Sequence, residues 1–197
     1  METDEYLTVV KSASVEIERK KSRFRGRIFP ISGEDEVKPI LSGLKKEFSS
    51  ATHFVWAYRI FHPESHIEAC SDAGEPKGSA GTPLLNSLKR AELFNVLVVV
   101  IRWYGGQKLG IPGLIEAYSS TASLAVEKAG TRKAFVEKEL ALELSYDKFG
   151  KVKSLVSQGK ARIISVEFKE KVLLRLAVRE SKWEEVQAYI RNIARGL

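Results

Sequence analysis

The apolar and polar residues of this 197-residue chain change period several times, and each change predicts an element. Val15-Glu-Ile-Glu-Arg19 alternates, and so does Ser22 to Phe29, with Lys20-Lys21 between them. That pattern predicts an antiparallel hairpin. Val37, Ile40, Leu41, Leu44 and Phe48 then recur at helical spacing, and Pro39 falls where a missing N–H is harmless. His53 to Phe61 reads as a strand rich in aromatic and β-branched residues, followed by a long polar stretch. Pro83 to Leu93 predicts a helix, Asn95 to Tyr104 a buried strand built on Val96-Leu-Val-Val-Val-Ile101, and Pro112 to Ala129 another helix. The expected order is β-β-α-β-loop-α-β-loop-α.

A break at Gly130-Thr131 follows the last of these helices, which divides the chain into domains 1–131 and 132–197. In the second domain Leu140, Leu142 and Leu144 alternate with polar neighbours, and Phe149, Val152 and Val156 mark a helix that stops at Gly159. Ile164, Val166 and Phe168 are expected on one face of the next strand. Val172, Leu174, Leu176 and Val178 share a face of the strand after it, with Glu170-Lys171 as the turn. Ser181-Lys-Trp-Glu184 reads as a capping box opening a last helix, with Trp183, Val186, Ile190 and Ile193 buried. This βαββα order predicts a ferredoxin-like sandwich lacking its final edge strand, and both domains read as α+β.

Composition sets the class. With 44% hydrophobic and 29% charged residues the chain can bury a core without disulfides, and its single cysteine, Cys70, excludes an intrachain disulfide and any zinc site of paired cysteines. The start Met1-Glu-Thr-Asp-Glu5 is acidic, and no apolar run approaches the roughly 20 residues of a membrane span, so a cytoplasmic protein with no membrane partner is expected. The net charge of +7 invites an anionic partner such as RNA. It is unevenly spread, with 17 basic and 16 acidic side chains in residues 1–131 against 15 and 9 in residues 132–197. Lys148, Lys151, Lys153, Lys160, Arg162, Arg191 and Arg195 are expected to display the excess, whereas Glu139, Glu143, Glu167, Lys169, Arg175 and Arg179 would pair across the sheet.

Two segments hold half of the chain's 14 glycines: Ser71 to Pro83, with Gly74, Gly78 and Gly81, and Arg102 to Gly113, with Gly105, Gly106, Gly110 and Gly113. Each leads into a helix, the first with Thr82 placed to cap it, and each carries a lysine, Lys77 or Lys108. Glycine amides and helix starts suit an anion, so Gly74, Lys77, Gly78, Ser79, Gly81, Thr82, Arg102, Gly105, Gly106, Lys108, Gly110 and Gly113 are candidate phosphate contacts. Neither loop has the order of a known phosphate signature, and close packing explains such glycines equally well. Arg19, Lys20, Lys21, Arg23, Arg25 and Arg27 crowd into nine residues. On a strand Arg23, Arg25 and Arg27 share a face, forming a ribbon that would track a phosphate backbone or merely protect an edge strand.

Asp72 and Glu75 are candidate acid/base groups with His53 nearby, though turn capping or pairing with Lys77 or Arg102 accounts for them as well. His62, His66 and Cys70 would align as zinc ligands only on a helix, and Pro63 argues for a loop. No metal site and no cofactor is therefore expected, and Cys70 lacks the flanks of a thiol hydrolase.

Four segments together carry a resemblance. Glu18-Arg-Lys-Lys-Ser-Arg-Phe24, Ala51-Thr-His53, Ser71-Asp-Ala-Gly-Glu-Pro-Lys-Gly-Ser-Ala-Gly81, and Arg102-Trp-Tyr-Gly-Gly106 through Leu109-Gly-Ile-Pro-Gly-Leu-Ile-Glu-Ala-Tyr118 resemble the YigZ/IMPACT family over roughly residues 10 to 130. The resemblance implies a first domain of the βαβ type seen in elongation factor G domain four, followed by the small ferredoxin-like domain of bacterial members. It implies a setting in translation regulation, where eukaryotic relatives act through protein contacts and bacterial ones are linked to RNA or the ribosome. The family's Asp-Asp-Gly-Glu-Pro is here Asp72-Ala-Gly-Glu-Pro76, its threonine is Ser79, and its Gly-Thr-Gly-Gly is Gly110-Ile-Pro-Gly113. Ala73 and Pro112 thus weaken an enzyme reading more than a binding one. A non-enzymatic RNA- or ribosome-binding protein is the leading expectation. The alternatives are an enzyme acting on a phosphate- or carboxylate-containing small molecule and a protein-interaction regulator.

Overall fold

The computed structural model describes residues 4–195, with side chains to Ile193; the residues before Asp4 and the Arg195 side chain lie outside it. The chain divides into two compact units, Tyr6–Ala134 and, together, Asp4 and Glu5 with the residues from Phe135 onward. The expected break was 131/132, and the unit runs three residues further because a short strand continues it.

Apart from the strand-end residues Glu5 and Phe135, which belong to the smaller unit, the larger unit contains β1 (Glu5–Val9), β2 (Ala13–Arg19), β3 (Ser22–Pro30), α1 (Val37–Glu47), β4 (His53–Ile60), β5 (Ile67–Ser71), α2 (Gly81–Arg90), β6 (Val96–Trp103), α3 (Gly110–Ala129) and β7 (Thr131–Phe135). Five strands form an antiparallel sheet in the order β2-β3-β6-β4-β5, and β1 pairs with β7. On one face Phe24, Ile28, Val55, Ala57, Val98 and Val100 pack against Leu84 and Leu88 of α2 and Tyr118, Ala122 and Ala125 of α3. On the other, Tyr58, Ile60, Leu97, Val99 and Ile101 pack against Val37 and Leu44 of α1. Because β6 is buried on both faces it reads as a continuous apolar run rather than an alternation. Small residues let α3 approach β3 closely: a Cβ at Gly26 would lie 2.8 Å from Thr121 Cγ2.

β1, β5 and β7 were not read from the sequence. β5 is an edge strand whose Ile67-Glu-Ala-Cys-Ser71 holds one large apolar residue, and β7 is Thr-Arg-Lys-Ala-Phe, so neither shows a period. The hairpin between β2 and β3 is as expected. Its turn places Lys20 at φ 45° and Lys21 at φ 62°, the mirror-image turn that Asn-Gly fills without strain. Lys20→Asn together with Lys21→Gly should therefore stabilise the protein by about 1–2 kcal/mol, read as a raised denaturation midpoint.

The smaller unit has β8 (Glu137–Leu144), α4 (Tyr146–Ser157), β9 (Ala161–Phe168), β10 (Val172–Arg179) and α5 (Trp183–Arg195). The antiparallel order β8-β10-β9 is that of a ferredoxin-like sandwich without its last edge strand, and both helices cover one face over Val152, Leu155, Leu174, Leu176, Val178, Val186 and Ile193. Two details differ from expectation. The pairing slips between Arg175 and Leu176, which turns Ile163 toward the core and leaves Ile164 exposed. The capping box does not form as read: residues 180–182 make a 3-10 turn, and the Ser181 N–H donates to Asp4 Oδ2 at 2.9 Å. Asp4 is buried and also holds Arg179, Nη2 to Oδ1 at 3.2 Å.

Candidate functional site

The first glycine loop is an anion nest already filled by the chain itself. Asp72, just past β5, accepts the Gly78 N–H at 2.8 Å on Oδ2, and the Ala80 and Gly81 N–H at 3.0 and 2.8 Å on Oδ1. Burial alone would raise its carboxyl; the three amide bonds outweigh it and hold the group below the usual carboxylate range. Asp72 therefore caps α2 from outside the helix, the role expected of Thr82, which is exposed. Ser79 is buried and donates to the Pro76 carbonyl at 2.7 Å. Gly81 lies against the Ser71 backbone, 2.7 Å from its carbonyl carbon to a would-be Cβ. The amides of Gly78 and Gly81 and the hydroxyl of Ser79 are thus committed internally and not offered to a phosphate, and Asp72 is not an acid/base group paired with Glu75.

The second loop divides its work. Gly105 donates its N–H to Ser22 Oγ at 3.1 Å, and a Cβ there would stand 2.0 Å from the Lys21 carbonyl oxygen, so only glycine lets this loop cross the β2–β3 turn. Gly106 is exposed, and Gly113 sits against the Leu109 side chain. Arg102 is buried and ion-paired with Glu75, so its charge is taken up by that carboxylate.

The two loops meet. Thr52, His53, Glu75, Pro76, Arg102 and Tyr104, with residues 108–111 and Leu114, line a cavity of about 460 Å³ beside the start of α3. Its floor is the Glu75 carboxylate, 4% exposed, which accepts from Arg102 Nη1 at 2.6 Å and from the Tyr118 hydroxyl at 2.7 Å, both on Oε1. Burial, then the bond to Glu75, pushes the Tyr118 hydroxyl far up, so it remains a donor. His53, one-fifth exposed, has Nδ1 at 2.9 Å from the Ala73 carbonyl and Nε2 at 3.9 Å from Glu75 Oε1. A carbonyl only accepts, so Nδ1 carries a proton, and the tautomer this selects has its Nε2 lone pair toward the cavity. Gly74 lies beside the His53 ring, whereas Lys77 does not line the cavity. Ala73 holds its carbonyl at a residue φ of 47°, a conformation costly for alanine. Ala73→Gly should stabilise the chain by about 1 kcal/mol in a denaturant titration.

His62 and His66 lie in the loop before β5 and Cys70 lies on that strand, so the four-residue spacing aligns nothing. Burial pushes the Cys70 thiol up, the opposite of an activated nucleophile.

The basic ribbon lies on the opposite face of the sheet, at the margin of α1. Arg25 pairs with Glu16 at 2.8 Å and Arg27 with Glu47 at 3.5 Å, so two of its charges are neutralised. Arg23 instead lies 4.1 Å over the Trp103 ring and Arg25 5.0 Å over Phe48, whose ring meets Trp103 edge-on at 5.8 Å. Arg19, Lys20 and Lys21 are exposed at the hairpin end, where Arg19 donates to the Glu18 carbonyl. Phe54, Trp56 and Lys45 line a further cavity of about 340 Å³ on this face. In the smaller unit Arg162 is paired with Glu137 at 2.7 Å and Lys160 with Glu185 at 2.6 Å, so these two do not display free charge as expected. Arg175 pairs with Glu139 across the sheet.

Trp103, Phe48, Tyr104 and Tyr118 are not among the site residues expected from the sequence. The alternation of β6 does put Trp103 on one face, but its partnership with Arg23 follows only from the register that pairs those two residues.

The Impact N-terminal domain pattern matches residues 20–126, more than half of the chain, and includes the cavity and most of the ribbon. The chain belongs to the IMPACT family. A second family pattern, a domain of unknown function (DUF1949), matches residues 142–197. IMPACT family member YvyE of Bacillus subtilis is 29% identical over 97% of this chain and 88% of its own length, and IMPACT family member YigZ of Escherichia coli 29% over 98% and 95%. Protein IMPACT of mouse is 36% identical over 58% of this chain and 36% of its own length, so the eukaryotic likeness is confined to part of each protein. A crystal structure of a hypothetical protein superposes with a TM-score of 0.71 at 29% identity, covering 98% of this chain and 94% of that one. Among the described residues no helix is long and apolar enough to cross a membrane.

Proposed function

We propose that this IMPACT family member is a non-enzymatic RNA-binding protein acting in translation regulation, the setting the family resemblance implies. Single-stranded RNA would lie along the β2–β3 hairpin and the aromatic margin of α1. The observation that carries this reading is the Arg23 guanidinium lying 4.1 Å over Trp103. Unstacked RNA bases stack on guanidinium planes as well as on aromatic rings, and a plane pinned to an indole on one side leaves its other side ready for a base. Arg23 is exposed, and among the described residues no ion pair holds Lys20, Lys21, Arg23 or Lys45.

These four cations, three from the ribbon and Lys45 from α1, set the expected salt dependence. The logarithm of the affinity for a single-stranded oligoribonucleotide should fall with the logarithm of salt with a slope of about −3. Arg23→Ala with Lys45→Ala should flatten that slope by about half while leaving the denaturation midpoint close to wild type. Undetectable binding at low salt ends the proposal.

A further inference from the structure

The cavity between the glycine loops has chemistry that the RNA path on the opposite sheet face does not use. Its volume, about 460 Å³, is that of a site for one small molecule. Two acceptors at its floor lack donors. Glu75 Oε2 makes no hydrogen bond, and neither it nor His53 Nε2 is among the enclosed polar atoms left without a partner, so both open to the cavity those residues line. A ligand must therefore bring two donors.

The surrounding charge decides what kind of donors. Glu75 is balanced by Arg102 at 2.6 Å, and Lys108 adds a positive charge at the wall, so an ammonium or guanidinium would be repelled. Neutral hydroxyls meet no such penalty. A vicinal pair can donate one hydrogen to the carboxylate and one to the imidazole, and bonds to an ionised acceptor are the stronger kind. Lys108 in turn asks for an anionic group. What remains of the wall is apolar, made by Pro76, Leu109, Ile111 and Leu114 with the half-exposed ring of Tyr104, and suits a flat body.

We propose that this cavity binds a ribonucleoside 5′-phosphate. The sugar hydroxyls would meet Glu75 Oε2 and His53 Nε2, the base would lie against Tyr104 and Ile111, and the phosphate would face Lys108. The same group occurs as a free mononucleotide and as the 3′-terminal nucleotide of an RNA, and the site chemistry is common to both. Inner nucleotides of an RNA lack the free hydroxyl pair and are not accommodated.

The test is a titration of the full chain, following the His53 ring proton signal by NMR, one of only three histidines in the protein. Adenosine 5′-monophosphate at millimolar concentration should shift it. The 2′,3′-dideoxy analogue should bind about tenfold more weakly, since it leaves both acceptors unpaired. Lys108→Ala should weaken the ribonucleotide by about tenfold, while Lys77→Ala, outside the cavity, should leave it unchanged. A short RNA with a free 3′ end that shifts His53, where the same RNA blocked by a 3′-phosphate does not, identifies the terminal nucleotide as the ligand. A shift with the mononucleotide alone identifies the free molecule. No His53 shift with any of these probes overturns the proposal, as does equal binding of the dideoxy analogue. Ribose 5-phosphate binding as tightly as the nucleotide overturns the assignment of a nucleoside. Because the RNA path is read by its salt slope and by Arg23, either proposal can fail while the other stands.

Discussion

Glu75→Ala is expected to cost about 3–5 kcal/mol of stability, seen as a lowered denaturation midpoint at an unchanged denaturant slope. The side chain is 4% exposed and its Oε1 takes hydrogen bonds from both Arg102 and Tyr118. Removing it leaves a guanidinium, itself 5% exposed, without a counter-charge in the larger core, and leaves the Tyr118 hydroxyl without an acceptor. The loss comes from stranding the partners rather than from the worth of the pair. Glu75→Met combined with Arg102→Met should therefore recover most of it. A double variant no more stable than Glu75→Ala would mean that the pair fixes the loops against each other, beyond balancing charge.

The second large effect falls on Asp72. Asp72→Ala should destabilise the chain by about 2–3 kcal/mol at neutral pH, because the Gly78 N–H in the loop and the Ala80 and Gly81 N–H at the start of α2 lose their acceptor. The pH dependence has a fixed sign. The Asp72 carboxyl is held below its ordinary value in the folded chain, so its contribution is complete above the usual carboxylate range and is lost as pH falls through the folded value. Wild type should weaken from about pH 5 downward. The gap between wild type and Asp72→Ala should shrink over that range, and a gap that stayed constant to pH 3 or widened would contradict the cap.

The residues show why parts of the fold were legible in the chain and others were not. The β2–β3 hairpin, α1, α2, β6, α3 and the whole βαββα order of the smaller unit follow from periods of two and 3.6 in residues buried on one face, or from an unbroken run where both faces are buried. β1, β5 and β7 carry no such period because each sits at an edge or in a two-stranded pair, where few side chains need burial. The glycine loops could be located but not interpreted. That Asp72 fills one nest while Glu75, three residues on, turns to Arg102 depends on contacts across 27 residues in sequence, which no local spacing encodes. His53, Glu75 and Lys108, distant in sequence, line one cavity, and Lys77, only two residues from Glu75, does not. The Arg ribbon was visible as composition, but its division into paired Arg25 and Arg27 and stacked Arg23 rests on Glu16, Glu47 and Trp103 from three other elements.

The contact surface for RNA is most directly tested by NMR titration of the full chain with a short single-stranded RNA, following the Trp103 indole and Arg23 guanidinium signals. Both should shift together with the amides of the β2–β3 hairpin, and Arg23→Ala should suppress the indole shift. Shifts confined to residues 137–195, with Trp103 and Arg23 unmoved at saturation, would contradict binding along this face.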